Sequence, residues 1–142
     1  MPFAYELNPM VFTVEVWAKV TGGTGVHRSP LTSRADGPQR GYIFYAEPND
    51  TWQFWTGTGA QVGWNTIQGP AVQLGAWTHL VGTHDGIVKR FYVNGVEVGW
   101  NNSAFGPNDA SVLRIGAGAS ESITGSFFFQ GSVDEAALYD KV

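Results

Sequence analysis

The chain predicts an all-β fold, a two-sheet antiparallel sandwich or a barrel, on three observations. Apolar and polar residues alternate in many short runs. Turn signals rich in glycine and asparagine separate those runs at roughly 8–12-residue spacing. The composition is also that of strands joined by tight turns. Of 142 residues, 19 are glycine, 14% are aromatic and only 14% are charged, against roughly 25% charged in an average soluble domain. Too few Lys and Glu remain to solvate several amphipathic helices. Residues 1–142 make one domain. A chain of this length buries about 70% of its unfolded surface without cross-links, and it has no cysteine.

Phe12 to Val20 alternates cleanly. Phe12, Val14, Val16, Ala18 and Val20 share one face; Thr13, Glu15, Trp17 and Lys19 share the other. Trp17, on the polar side, is expected beneath a loop. A glycine-rich turn at Thr21–Gly25 leads to a short strand over Pro30–Arg34, ended by Asp36-Gly37-Pro38. Strands follow at Gly41–Ala46, Thr51–Thr56 and Val62–Ile67, separated by turns at Glu47–Asp50 and Gly57–Gly59.

Trp77 to Gly99 is the best-specified stretch: three apolar runs cut by Asp85-Gly86 and Asn94-Gly95. Asn-Gly suits a two-residue type I′ turn, whose central residues both need positive φ. The resulting register sets Val93 against Val96, Tyr92 against Glu97 and Phe91 against Val98. Phe91, Val93, Val96 and Val98 then share the buried face. Trp100–Ala110 reads as a connection that crosses between sheets, and Ser111–Ala117 as a strand. Phe127–Tyr139 closes the chain. Its triple phenylalanine, 127–129, is apolar on both faces, as in a central strand covered on both sides or an interface strand. Its alternation slips between Val133 and Leu138, which predicts a β-bulge near Asp134-Glu135.

The net charge of −4 and the pI of about 5.2 give nucleic-acid binding no electrostatic footing. No apolar run approaches the roughly 18 residues of a spanning helix, so membrane insertion is not expected. The first ten residues lack the basic start and apolar core of a secretion signal. The chain therefore reads as an intracellular or particle-borne protein, or as a domain excised from a longer exported one.

Taken in order, FTVEVWAKV, PLTSR, GYIFY, WTHLVGTHDG, RFYVNGVEV, VLRIG and FQGSVDEAALYDK resemble the laminin G-like, concanavalin A-like jelly-roll domains over nearly the whole chain. Each block alone is a weak motif; their order is specific to the fold and far less so to a function. The resemblance implies two antiparallel sheets of about six strands each, one of them concave. It also implies a non-catalytic module, extracellular or on a particle or cell surface, that binds glycans or proteins, often with bound calcium. In this family the Val-Asp-Glu block often places its Asp near a structural calcium, which makes Asp134 the candidate calcium ligand, with Asp36, Asp50, Asp85, Asp109 and Glu121 as further loop acids. The bland role for Asp134 is capping backbone N–H groups at the bulge.

Glycanases that resemble this fold carry Glu-x-Asp-x-(x)-Glu on one strand, and no strand here shows that pattern. Asp134 and Glu135 are adjacent, and Glu15 stands alone. No G-x-S-x-G elbow accompanies His27, His79 or His84, and His79 reads as strand packing. Gly57, Gly59 and Gly63 lack the following helix of a phosphate cradle and read as a hairpin turn. The sequons at Asn49 and Asn101 both fall in expected loops.

The aromatic residues carry the binding expectation. A sugar ring offers an apolar C–H face and polar edges, so an indole or phenol beside an amide or guanidinium suits it. Trp55, Trp64, Trp100, Tyr42 and Tyr45 are candidate platforms, and Gln53, Arg34, Asn65, Asn101 and Asn102 candidate edge groups; each indole could equally fill the core. Two functions follow: a glycan-binding module with calcium as a structural support, or a structural or adhesive domain that contacts a protein surface within a larger assembly such as a virion, a fibre or a cell-surface array.

Overall fold

Strict alternation in Phe12–Val20 builds a strand with one dry face: all five of its inward residues are fully buried. This is β1 (Phe12–Val20) of a computed structural model that describes residues 1–142. It is followed by β2 (Arg28–Asp36), β3 (Gln39–Ala46), β4 (Thr51–Gly57), β5 (Trp64–Ala71), β6 (Trp77–His84), β7 (Val88–Val93), β8 (Val96–Asn102), β9 (Leu113–Ile115) and β10 (Gly131–Tyr139). The remaining regular element is a 3-10 turn at Tyr5–Leu7. No helix is long and apolar enough to cross a membrane.

The strands form two antiparallel sheets of five, ordered β10-β1-β6-β7-β8 and β5-β4-β3-β2-β9. The two sheets face each other across Phe12, Phe44, Trp52, Phe54, Leu80 and Phe91. The stretch after β8 does cross from one sheet to the other, reaching β9.

The central hairpin turns as expected, with Asn94 and Gly95 at φ 52° and 78°, and Val93 pairs with Val96 and Tyr92 with Glu97. Beyond that, the expected register fails. A bulge between Phe91 and Tyr92 sets Phe91 opposite Gly99, not Val98. The cause lies on the other sheet: a Cβ at position 99 would come 2.7 Å from Ile67 Cγ2, so the bare residue takes the crowded place. Val96 is left 64% exposed at the turn, and Val98 only flanks the core.

Other expectations are corrected. Phe127–Phe129 is not strand; β10 starts at Gly131, whose α-carbon packs so tightly on the Lys19 carbonyl that no side chain fits. The three phenylalanines diverge instead. Phe127 takes φ 50°, Phe128 is exposed and Phe129 packs on the core. Val62 is a solvent-exposed turn residue preceding β5. Trp17 is not under a loop but stacks on the His79 ring at 4.8 Å, and His79 Nε2 lies 3.0 Å from Glu15 Oε2. The bulge in β10 is present: Glu15 pairs with Ala137 and Trp17 with Asp134, and Glu135 is pushed to φ 46°.

Candidate functional site

On the second sheet, Tyr42, Phe44, Trp52 and Phe54 point into the core, so Ile43, Tyr45, Gln53 and Trp55 must point out. Cross-strand register then sets Tyr45 beside Gln53, and Trp55 between Ile43 and Thr66. Trp64 opens β5 opposite Gly57. Arg34 lies on β2 opposite Gly41. Gly41 and Gly57 put no side chain on the sheet between Arg34 and Trp64, because the Ser33 carbonyl and the Arg40 backbone crowd their Cβ places. The Arg34 guanidinium carbon lies 5.8 Å from the Trp64 ring centroid. A Cβ at Gly41 (φ 88°) would overlap the Ser33 carbonyl, so only glycine fits there.

Five of the sequence candidates therefore meet on one outer face. Trp55 packs edge-on to Tyr45 at 5.5 Å and tilted to Trp64 at 6.2 Å. Trp55 Nε1 donates to Gln53 Oε1 at 2.8 Å. Arg34 Nη1 donates to the Tyr45 hydroxyl at 2.7 Å, its Nε to Glu121 at 2.9 Å, and its Nη2 to Asp36. Trp55 and Trp64 stay half-buried, whereas Tyr45 is sealed beneath its neighbours. Burial outweighs the opposing pull of Arg34 and pushes the Tyr45 hydroxyl up to about 12. Burial works to lower the Arg34 guanidinium, but Tyr45, Glu121 and Asp36 prevail and leave it raised.

Two aromatic members were not among the sequence candidates. His27 lies 5.2 Å from the Tyr45 ring and 5.5 Å from Phe127, with Nδ1 3.1 Å from Glu47. Phe127 also faces the Arg34 guanidinium at 5.5 Å. It arrives on the long β9–β10 connection, anchored where Ser29 N–H donates to the Phe127 carbonyl at 2.9 Å. That same connection carries Glu121. Nothing local in the sequence marks this path; the break at Gly125-Ser126 before the phenylalanines is its one trace.

The other candidates lie elsewhere. Trp100 stands exposed on the outer face of the opposite sheet, across from Arg90. Asn65 and Asn101 face inward. Asn65 pairs with buried Thr56, and Asn101 pairs with buried Lys89, so its sequon lies in a strand rather than a loop. Lys89 Nζ spans the sheets to the Asn65 carbonyl at 2.7 Å, and the side-chain oxygens of Thr56, Asn65 and Asn101 have no partner. Burial lowers Lys89 to about 7.

Asp134 sits at the β10 bulge, where its Oδ1 accepts the Glu135 N–H at 2.9 Å, as a capping role requires. It shares a shallow cleft with Glu135, Trp17 and Trp77. Calcium takes six to eight oxygens, and no three His, Cys, Asp or Glu side chains converge anywhere in the protein.

The chain matches the family model of the concanavalin A-like lectin/glucanases superfamily over residues 6–142. It belongs to that superfamily. No curated protein sequence matches this superfamily member. Among solved structures, the Ruminococcus gnavus IT-sialidase CBM40 bound to alpha2,3 sialyllactose is 15% identical with a TM-score of 0.73, covering 93% of this chain and 76% of that one. A putative carbohydrate binding protein from Bacteroides ovatus is 16% identical with a TM-score of 0.73, covering 98% and 40%. Domain 4 of AbnA, a GH43 extracellular arabinanase from Geobacillus stearothermophilus, in complex with arabinotriose, is 20% identical with a TM-score of 0.60, covering 92% and 61%. At these identities the likeness is one of fold.

Proposed function

We propose that this superfamily member is a non-catalytic, extracellular or surface-borne carbohydrate-binding module, and that the outer face of the β5-β4-β3-β2-β9 sheet holds the glycan. One observation carries the reading. Two half-buried indoles, Trp55 and Trp64, stand 6.2 Å apart on a rigid sheet, flanked by the amide of Gln53 and the guanidinium of Arg34. Indole faces suit the C–H face of a sugar ring, and the polar rim suits its hydroxyls. Rigid strands hold the rings in place before binding, which lowers the ordering cost. The carbohydrate-binding likenesses in fold agree with this reading.

Catalysis is not proposed, because no strand carries the paired acids of the fold's glycanases. A structural calcium, if bound, belongs at Asp134 on β10, in the sheet opposite this face, and takes no direct part in holding the glycan. A role in a larger protein assembly is the second reading, and the exposed apolar residues that would serve it are spread over several elements, among them Val62, Trp100 and Phe128.

The test is retention on polysaccharide affinity gels and glycan arrays, comparing the natural chain with Trp55→Ala and Trp64→Ala. Binding abolished by either substitution in a folded variant supports the site. No retention on any glycan overturns it.

A further inference from the structure

The aromatic face carries an unusual charge arrangement, which bears on which glycans it accepts. Arg34 is the cation beside the half-buried indoles, and it is already occupied. Each of its three guanidinium nitrogens donates within the protein: Nε to Glu121, Nη1 to Tyr45 and Nη2 to Asp36. Its carbon also lies 5.8 Å from the Trp64 ring centroid and 5.5 Å from that of Phe127. Its side chain is only 12% exposed, against 26% for Glu121 and 39% for Asp36, so the carboxylates meet solvent more than the guanidinium does.

The other charged groups do not reverse this. Glu47 lies against His27 at the far end of the aromatic cluster. Arg114, on β9 opposite Thr32, spends its Nη2 on the Ser122 and Ile123 carbonyls of the β9–β10 connection. Arg28 is fully buried and paired with Asp50.

We infer that the site, which rests here on the glycan-binding reading, selects neutral, hydroxyl-rich glycans and rejects anionic ones. A sugar hydroxyl approaching the Arg34 end meets carboxylate oxygens that accept its hydrogen. A sialic or uronic acid carboxylate meets Glu121 and Asp36 as like charges, and could reach the guanidinium only by displacing one of them. The partner is thus different in charge from the sialyllactose held by the Ruminococcus gnavus module.

The experiment is an array and calorimetric comparison of matched pairs, neutral oligosaccharides against their sialylated or uronic-acid counterparts, on the natural chain and on Glu121→Gln and Asp36→Asn. The expected result is neutral binding at least about tenfold tighter than acidic binding. That gap should narrow in either variant. On the natural chain it should also narrow in 1 M salt, which screens exposed charges and needs no variant to fold. Acidic glycans bound as well as or better than neutral ones overturns the inference while leaving the glycan-binding reading intact. A gap indifferent to both variants and salt overturns its electrostatic basis. Retention of no glycan of either class removes the binding reading itself.

Discussion

Arg34 Nη1 donates a 2.7 Å hydrogen bond to the hydroxyl of Tyr45, a residue that is almost completely buried. This bond fixes a long, otherwise flexible side chain beside Gly41, and so sets the edge of the indole platform. Tyr45→Phe removes the acceptor and leaves a buried donor unpaired. It should cost about 1 kcal/mol of unfolding free energy in urea titrations and weaken glycan binding less than either Trp→Ala change does.

The platform itself should dominate affinity. Trp55→Ala or Trp64→Ala removes a ring that the sheet holds ready, at a position only half-buried. Each should lower glycan affinity by about 2 kcal/mol, or thirtyfold, by isothermal titration, with the far-ultraviolet spectrum of the sheets unchanged.

Gly41→Ala tests the close backbone approach beside Arg34. At φ 88° an alanine is strained, and its methyl would overlap the Ser33 carbonyl. The expected loss is about 3 kcal/mol or more, seen as a sharply lower denaturant midpoint.

Lys89 gives a stability slope with pH. Burial lowers its folded pKa from 10.5 to about 7, so between those values the unfolded chain binds more protons. Stability therefore rises as pH increases from about 7 toward 10.5, and is flat in this group below 7, where both states are charged. Lys89→Met should abolish that slope and gain about 1–3 kcal/mol over the natural chain at pH 6, with a smaller gain at pH 10. Tyr45 acts at higher pH with the opposite sign. Its folded pKa is raised from 10.0 to about 12, so its contribution is intact below 10 and is lost as pH rises through about 12. Ultraviolet titration should find Tyr45 protonated at pH 11, together with Tyr42, which burial raises further.

Calcium should have no effect on either property. With no cluster of three ligating side chains, Tm and retention on a glycan gel should be the same in excess calcium and in EDTA; a rise in Tm with calcium would restore Asp134 as a ligand.

Much of this structure was legible wherever neighbours along the chain decide the outcome. Period-two alternation put Phe12, Val14 and Val16 on a dry face, and placed Trp55 with Gln53 on the face opposite Phe54. Asn94-Gly95 fixed its own turn, and the broken alternation after Val133 marked a bulge. Which side of each strand meets water was settled only when the sheets packed. Asn65 and Asn101 turned inward to a buried lysine, and Trp100 to the opposite outer face, because alternation separates two faces without naming the interior. Likewise Gly99 was drawn beneath Ile67, and Phe127 and Glu121 onto the indole face, by contacts with residues far away in the chain. Such contacts depend on how two sheets stack and how a long connection crosses them, and no local pattern encodes that.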